Sequence, residues 1–489
     1  MDGPEHFNPT TLPGPGTLRP PADLPATLGE LRASGWESVS VAEEMRRNTA
    51  TRIAEGVSLA PGVLGFEDTV IPQLENAILA GHDIILLGER GQAKTRVIRS
   101  LVALLDEWLP IVAGSEINDD PYHPVSRFAI NAVAEHGDST PITWINRADR
   151  YGEKLATPDT SIADLIGEVD PIKIAEGRYL SDELALHYGL IPRVNRGIFA
   201  INELPDLSER IQVGLLNVLE ERDVQIRGHR IRLPLDITLV ATANPEDYTN
   251  RGRIITPLKD RFGAQIRTHY PYETMTEVKI MESEAELATA GMAVNVPSYL
   301  KEVIAEISQL ARRSSHLNQR SGVSVRLSIA NYETLVANAV RRALRTGEPV
   351  AVPRISDLAS LVPSTQGKIE VEAMEEGHED EVVAQLVAAA VLSVFRRRVT
   401  LDDPAAVVAA FGEQVVVHAG DDLPSAAYLA VLADIPELEP PTRALAGPDA
   451  VESPALMASA LEFLLEGLHL TKRLNKDSSG ARALYRGRK

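Results

Sequence analysis

Hydrophobic positions change their spacing a little past the middle of the chain. From residue 46 to about 290, short β-rich apolar runs alternate with amphipathic helical stretches, the order expected of a parallel α/β sheet. Asp83-Ile84-Ile85-Leu86-Leu87, Gly197-Ile198-Phe199-Ala200-Ile201 and Ile237-Thr238-Leu239-Val240-Ala241 are apolar on both faces. That predicts central strands covered by helices on each side. Beyond about 290 the period becomes helical: Val303, Ile304, Ile307, Leu310 and Ala311 form one stripe, and Tyr332, Leu335, Val336 and Val340 another. A third helix is expected across Val382–Phe395, behind an acidic run at Glu370–Asp380. The opening residues are rich in Pro, Gly and Thr and predict a loosely packed arm. Asp434–Pro454 is Pro-rich and reads as a linker, followed by an amphipathic segment (Leu456–Leu470) and a basic tail, Arg486-Gly487-Arg488-Lys489. Four parts are therefore expected: an arm at 1–45, an α/β domain at 46–290, a helical domain at 291–400 and a mostly helical extension at 401–489.

Composition narrows the chemistry. The 489 residues carry 69 acidic and 49 basic side chains, a net charge of −20, which repels nucleic acid and anionic lipid overall while leaving room for a local phosphate pocket. Aromatics are 4%, so the core must be built mainly from Ala, Val, Leu and Ile. Cysteine is absent, which excludes disulfides, cysteine nucleophiles and cysteine-ligated metals. The histidines are scattered, so metal binding through them is not expected. Arg396-Arg397-Arg398 and the basic tail read as solvated cations, the first at a helix C-terminus that favours them. No apolar run reaches the ~18 residues of a membrane span, and Met1-Asp2-Gly3-Pro4-Glu5 has no basic region leading into an apolar one. A cytoplasmic location is expected.

The richest segment is Gly88-Glu89-Arg90-Gly91-Gln92-Ala93-Lys94-Thr95, which follows an apolar strand and opens a helix carrying Val97, Ile98, Leu101, Val102 and Leu105. Backbone amides of such a turn point at an anion, glycines allow close approach, the Lys94 ammonium reaches β/γ-phosphates, and the Thr95 hydroxyl suits Mg²⁺. Ala93 stands where glycine is usual; one Cβ is expected to be tolerated, the last loop position needing glycine least.

A nucleotide hydrolase also needs carboxylates at the end of a neighbouring strand. Gly197-Ile198-Phe199-Ala200-Ile201-Asn202-Glu203 supplies one, with Glu203 as the candidate for polarising water. Asn202 occupies the place where Asp is expected beside Mg²⁺; an amide there can bond a metal-bound water but brings no charge. Asp206 and Glu209 have capping-box spacing, and Val224/Ile226, Arg227-Gly228-His229-Arg230 and Ile231/Leu233 read as a hairpin. Asn244, ending the strand Ala241-Thr242-Ala243-Asn244-Pro245, either bonds the γ-phosphate or water, or starts the turn before Pro245.

Taken together, these residues resemble the AAA+ ATPases, within the branch of the magnesium-chelatase ATPase subunit and the MoxR-type ATPases, over about residues 50–345. Asp119-Asp120-Pro121-Tyr122 is similar to the stretch after the first helix in chelatase subunits. Asp164-Leu165-Ile166-Gly167-Glu168-Val169-Asp170 and Gly189–Ile198 resemble the family's helix-2 insertion and its lead-in to the next strand, and Ala before the lysine is familiar in MoxR-type loops. The resemblance implies a P-loop core with a parallel sheet and helix-2 insertion, then an α-helical lid. It implies ATP and Mg²⁺ as cofactors. Leu258-Lys259-Asp260-Arg261-Phe262 matches the segment of the arginine finger, so Arg261 would reach nucleotide bound to a neighbouring subunit. Ser324-Val325-Arg326-Leu327-Ser328 matches the sensor-2 helix start, so Arg326 would contact nucleotide, with Arg320 as competitor. The plain alternative for Arg261 and Arg326 is a surface ion pair. Arg251 and Arg253 lie near but out of register for a further family arginine.

A finger supplied in trans implies a homo-oligomeric ring, hexameric in this branch, working on a separate partner with a von Willebrand factor A domain; no Asp-x-Ser-x-Ser stretch marks such a domain here. The loop by which enhancer-binding activators grip a sigma factor is not found in the sequence. The expected function is a Mg²⁺-dependent ring ATPase that remodels or loads metal into a partner. Its alternatives are a nucleotide-gated scaffold with negligible turnover and a true magnesium-chelatase subunit of tetrapyrrole synthesis.

Overall fold

The three apolar runs lie side by side in a five-stranded parallel sheet. The computed structural model describes residues 18–170, 172, 175, 183–221, 233–244, 253–318, 322–372, 378–401, 404–412, 415–448, 453–479 and 482–487. The chain divides into two units, Met1–His269 and Tyr270–Lys489. Numbered in chain order, the main elements of the first are α1 (Val41–Glu55), α2 (Val70–Leu79), β1 (Ile84–Leu87), α3 (Lys94–Ser100), β2 (Trp108–Val112), α4 (Arg127–His136), β3 (Ile142–Asn146), β4 (Tyr151–Leu155), β5 (Gly197–Asn202), α5 (Glu209–Glu221), β6 (Ile237–Ala243), α6 (Thr256–Arg261) and β7 (Ala264–Arg267).

The sheet order is β4-β5-β6-β1-β7, every neighbouring pair parallel. Strand side chains alternate between faces, and here both faces are apolar. Ile85, Phe199, Ile201, Leu239 and Ala241 pack on one side with Leu204 and Leu215. Ile84, Leu86, Ile198, Ala200 and Val240 pack on the other with Met45, Leu74, Val97 and Ile98. Strands β2 and β3 form a separate antiparallel pair. Within the segment expected as the helix-2 insertion, Gly167–Val169 pairs antiparallel with Leu186–Tyr188. The hairpin expected around residues 224–231 lies outside the described residues.

Polar groups lock the sheet's amino-terminal side. Arg150, fully buried, donates from Nη1 and Nη2 to Glu44 at 2.7 and 2.5 Å, and from Nε to the Arg196 carbonyl at 2.7 Å. Gly197 is required there, since a Cβ would stand 1.9 Å from the Arg150 carbonyl oxygen. Asp119 accepts from the Ser126 amide and hydroxyl and from the Val125 amide, so this chelatase-like acid is a local turn brace. Leu204–Asp206 is a 3₁₀ turn, and the Ser208 carbonyl accepts from the Gln212 amide at the start of α5.

The second unit contains α7 (Thr274–Glu284), α8 (Ser298–Ala311), α9 (Arg326–Thr346), α10 (Glu379–Arg398), β8 (Val416–Gly420), α11 (Ser425–Asp434), α12 (Glu439–Ala446), α13 (Pro454–Leu470), β9 (Leu474–Ser479) and β10 (Arg482–Gly487). Three expectations change here. The Pro-rich stretch holds helix α12, because prolines at the first helical positions cost no hydrogen bond. Helix α13 is buried all round from Ala455 to Leu468, not amphipathic. The extension also carries a three-stranded antiparallel sheet, β8-β10-β9, with Arg486 of the basic tail in β10. Residues from 401 onward share one core with the helices before them: Phe411, Val417, Leu461 and Leu464 join Val303, Leu335 and Val394. Arg397 and Arg398 at the end of α10 pair with Glu306 and Glu302.

Candidate functional site

The loop from Gly88 to Ala93 springs from the carboxyl end of β1. Its first amide donates to the Ala243 carbonyl of β6 at 3.1 Å, and the Leu87 carbonyl accepts from the Thr268 amide, just past β7, at 2.8 Å. The loop is thus fastened to both neighbours of β1. Gln92 holds it closed: its buried Oε1 accepts from the Glu89 amide at 3.1 Å and from the Thr268 hydroxyl at 2.7 Å. Gly88 has no room for a side chain, since a Cβ would stand 2.0 Å from Thr268 Oγ1 and 2.2 Å from Gln92 Oε1. Gly91 takes a φ of 73°, which glycine adopts freely.

The expectation for Ala93 was that its position scarcely needs glycine. The backbone says otherwise: φ is 53° and ψ 15°, the left-handed region, where a Cβ crowds the following carbonyl at ~1–2 kcal/mol. Helix α3 then begins at Lys94 and continues as a 3₁₀ turn over Leu101–Leu104. Lys94 is buried, and its ammonium donates to the Gly88 carbonyl, to the Glu89 carbonyl at 2.8 Å and to Asn244 Oδ1 at 2.7 Å. Thr95 is half-buried in the first turn, and Arg90 is exposed.

The candidate acid lies across the same strand ends. Glu203 follows β5 with a φ of 57°, its amide donating to Thr242 Oγ1 at 2.9 Å. Asn244 Nδ2 donates to Glu203 Oε2 at 2.9 Å while its Oδ1 receives Lys94. Asn244 therefore bridges the loop lysine and the acid, which sequence left open between a site role and a turn. Asn202 is buried and donates from Nδ2 to Glu153 Oε1 on β4 at 2.6 Å. Arg99 of α3 also grips Glu153, at 2.8 and 3.1 Å, and the Tyr151 hydroxyl donates to it at 2.9 Å. Burial by itself would raise the Glu153 pKa, but the bonds from Arg99, Tyr151 and Asn202 outweigh it and hold the carboxyl below its ordinary range.

A cavity of about 380 Å³ opens beside the loop, lined by Leu87, Gly88, Glu89, Gln92, Lys259, Arg267 and Thr268. Lys259, Arg267 and Thr268 had no role in the sequence reading. The sequence offered little signal: Arg267-Thr268 lies at the end of β7, beside β1, and β7 carries little of the apolar run that marks a central strand. Arg261 is exposed at the end of α6, the helix that brings Lys259 to the cavity. Arg326 belongs to the second unit, exposed at the first position of α9. Arg251 and Arg320 lie outside the described residues. The donor chemistry fits a triphosphate with Mg²⁺: a glycine cradle that a Cβ would fill, a buried ammonium held by carbonyl oxygens, a hydroxyl, a carboxylate and an amide. Among the described residues no helix is long and apolar enough to cross a membrane.

Parts of the chain are similar to known proteins. The family profile described as the Sigma-54 interaction domain matches residues 176–261. The magnesium-chelatase subunit ChlI of Nostoc sp. is 27% identical over 258 residues, 51% of this chain and 63% of its own length. The magnesium-chelatase 38 kDa subunit of Rhodobacter capsulatus is 28% identical over 232 residues, 45% of this chain and 58% of its own. These similarities support an AAA+ ATPase of the magnesium-chelatase subunit branch. The chain spans less than two thirds of the length of either relative. Among solved structures, a cryo-EM-based model of the complex between subunits BchI and BchD of magnesium chelatase covers 65% of this chain and 97% of its own, at 20% identity, with a TM-score of 0.35.

Proposed function

We propose that this chain is a Mg²⁺-dependent AAA+ ATP hydrolase that works as a homo-oligomeric ring on a separate protein. The observation that carries this reading is the relay of Lys94, Asn244 and Glu203, in which one amide touches both the phosphate-binding lysine and the acid at 2.7 and 2.9 Å. Residues Gly88–Thr95 would hold the phosphates, Thr95 would ligate Mg²⁺, and Asn202 would sit beside the metal's waters. Bound Mg²⁺ supplies charge neutralisation on the phosphate oxygens. Glu203 would orient and polarise the attacking water, and Asn244 would sense whether phosphate is present. The exposure of Arg261 supports a finger lent to the adjoining subunit, where a guanidinium that never loses its proton stabilises developing charge. Arg326 would contact nucleotide.

Similarity to chelatase subunits supports a role beside other proteins; the proposal extends this to remodelling of, or metal loading into, a protein bearing a von Willebrand factor A domain. A MoxR-like chaperone role, a hexameric ring and a cytoplasmic setting belong to the same proposal. The neutral Asn202 favours one second reading, a nucleotide-gated scaffold with slow turnover. Phosphate release measured with Lys94→Ala, Glu203→Gln and Arg261→Ala decides between them. A motor loses nucleotide binding in the first, traps ATP in the second, and binds without hydrolysis in the third. A turnover unchanged by all three refutes the ATPase reading. A wild-type chain that binds ATP without measurable phosphate release favours the scaffold.

A further inference from the structure

The nucleotide-site reading leaves one feature unexplained: why an amide stands at 202, at the end of a central strand where a carboxylate is expected. The answer lies on the neighbouring strand. In the parallel register of β4 and β5, Glu153 pairs with Ala200, which shares its face with Asn202 two residues on. Glu153 reaches along that face, and its Oε1 accepts from Asn202 Nδ2 at 2.6 Å. An ionised carboxylate can only accept, so the amide NH₂ must face Glu153 and Oδ1 must face away. Thr242 Oγ1 lies 3.4 Å from that Oδ1 and accepts from the Glu203 amide at 2.9 Å. The donors therefore run in order: the Glu203 amide to Thr242, Thr242 to Asn202, and Asn202 to Glu153, which Arg99 grips from α3.

We infer that Glu153 is a positioning residue for the nucleotide site, fixing the Asn202 amide and tying it to the helix that carries Lys94. The inference rests on the nucleotide reading above. Residues 153 and 202 form a matched pair. An Asp at 202 would set two carboxylates 2.6 Å apart, a distance at which both cannot stay ionised without a large penalty. Moving the charge from β5 to β4 keeps one carboxylate and supplies the donor it needs. The Arg99–Glu153 ion pair alone would be a modest brace, its partners 36% and 21% exposed. Its link to the strand end beside Glu203 makes it part of the site.

The test is a double-mutant cycle of Asn202→Asp and Glu153→Gln, read by equilibrium binding of a fluorescent ATP analogue across Mg²⁺ concentrations, with melting temperature in parallel. Asn202→Asp should weaken Mg²⁺-dependent binding about tenfold, and the double variant should return to within about threefold of wild type, a coupling within the range for groups in contact. Should Asn202→Asp fail to fold, the double variant must still fold and bind. Additive effects, or an Asn202→Asp chain that binds as well as or better than wild type, overturn the inference and leave the nucleotide reading standing. A remote brace would lower the melting temperature in Glu153→Gln and in the double variant alike, with binding unchanged, and that also overturns it. A wild-type chain that binds no nucleotide overturns both readings.

Discussion

Gly88→Ala probes the loop where it is most crowded. The added Cβ stands 2.0 Å from Thr268 Oγ1 and 2.2 Å from Gln92 Oε1, whereas real Cβ contacts essentially never fall under 3.0 Å. Thr268 and Gln92 are buried and bonded to each other at 2.7 Å, and Gln92 Oε1 also receives the Glu89 amide. Making room breaks both bonds and leaves buried polar atoms short of partners, at about 2–4 kcal/mol in total. That cost falls on the loop conformation fastened to β6 and β7, so it appears as a smaller binding-competent fraction. At 1.4 kcal/mol per tenfold, nucleotide affinity should drop by about 30- to 700-fold. The assay is equilibrium binding of a fluorescent ATP analogue with Mg²⁺, alongside circular dichroism to show that helix content is kept. Thr268→Ala removes the nearer oxygen, so Gly88→Ala/Thr268→Ala should regain part of the loss. Affinity for Gly88→Ala within threefold of wild type would refute the reasoning.

Other outcomes follow from single features. At Ala93, relief of the left-handed backbone by Gly (~1–2 kcal/mol) is partly offset by the greater freedom of the unfolded chain (~0.4–1 kcal/mol), so Ala93→Gly should be neutral or slightly stabilising. Ala93→Val, branched at Cβ in the same region, should lose about 2 kcal/mol or more in denaturant titrations; equal stabilities would show that φ is not left-handed there. Glu44→Ala strands the fully buried Arg150 guanidinium and should cost about 3–5 kcal/mol, visible as a melting temperature lower by roughly 10 °C. A fall under 2 °C would mean that Arg150 finds another partner. Burial raises the carboxyl pKa of Glu306 and Glu348, but bonds from Arg397 and Ser393 to the first and from Ser425 to the second, with Arg354 and Arg342 nearby, win and hold both below the ordinary range. Their contribution is therefore complete above the unfolded value of ~4.3 and is lost as pH falls through the lower folded values. Melting temperature should hold from neutral pH to about 5 and decline below it, with a shallower decline in Glu306→Gln.

Apolar runs and a glycine-lysine loop made the sheet's centre legible in sequence. A strand between two helical layers must be apolar at every position, and Ile84–Leu86 and Ile198–Ile201 are. Lys94 and Glu203 could be named because strand ends in a parallel sheet converge on one edge. Sequence set no partner for Asn202, since Glu153 is 49 residues away and sits in a half-buried strand with no apolar run. Arg267 and Thr268 escaped for the same reason: β7 flanks β1 through a contact that no local periodicity encodes, and Lys259 reaches the cavity only because α6 leads into that strand.

What the amino-acid sequence determined by itself was local: strand or helix from period, the candidate phosphate-binding turn from its glycines and lysine, and the candidate acid from its place after a strand. Tertiary structure alone decided what those groups touch. It set the left-handed angle at Ala93, the Asn244 bridge between lysine and acid, and the shared core of the residues past 401 with the helices before them. Periodicity reports the burial of a segment against something. The identity of that something is fixed only when strands far apart in the chain come within hydrogen-bonding distance.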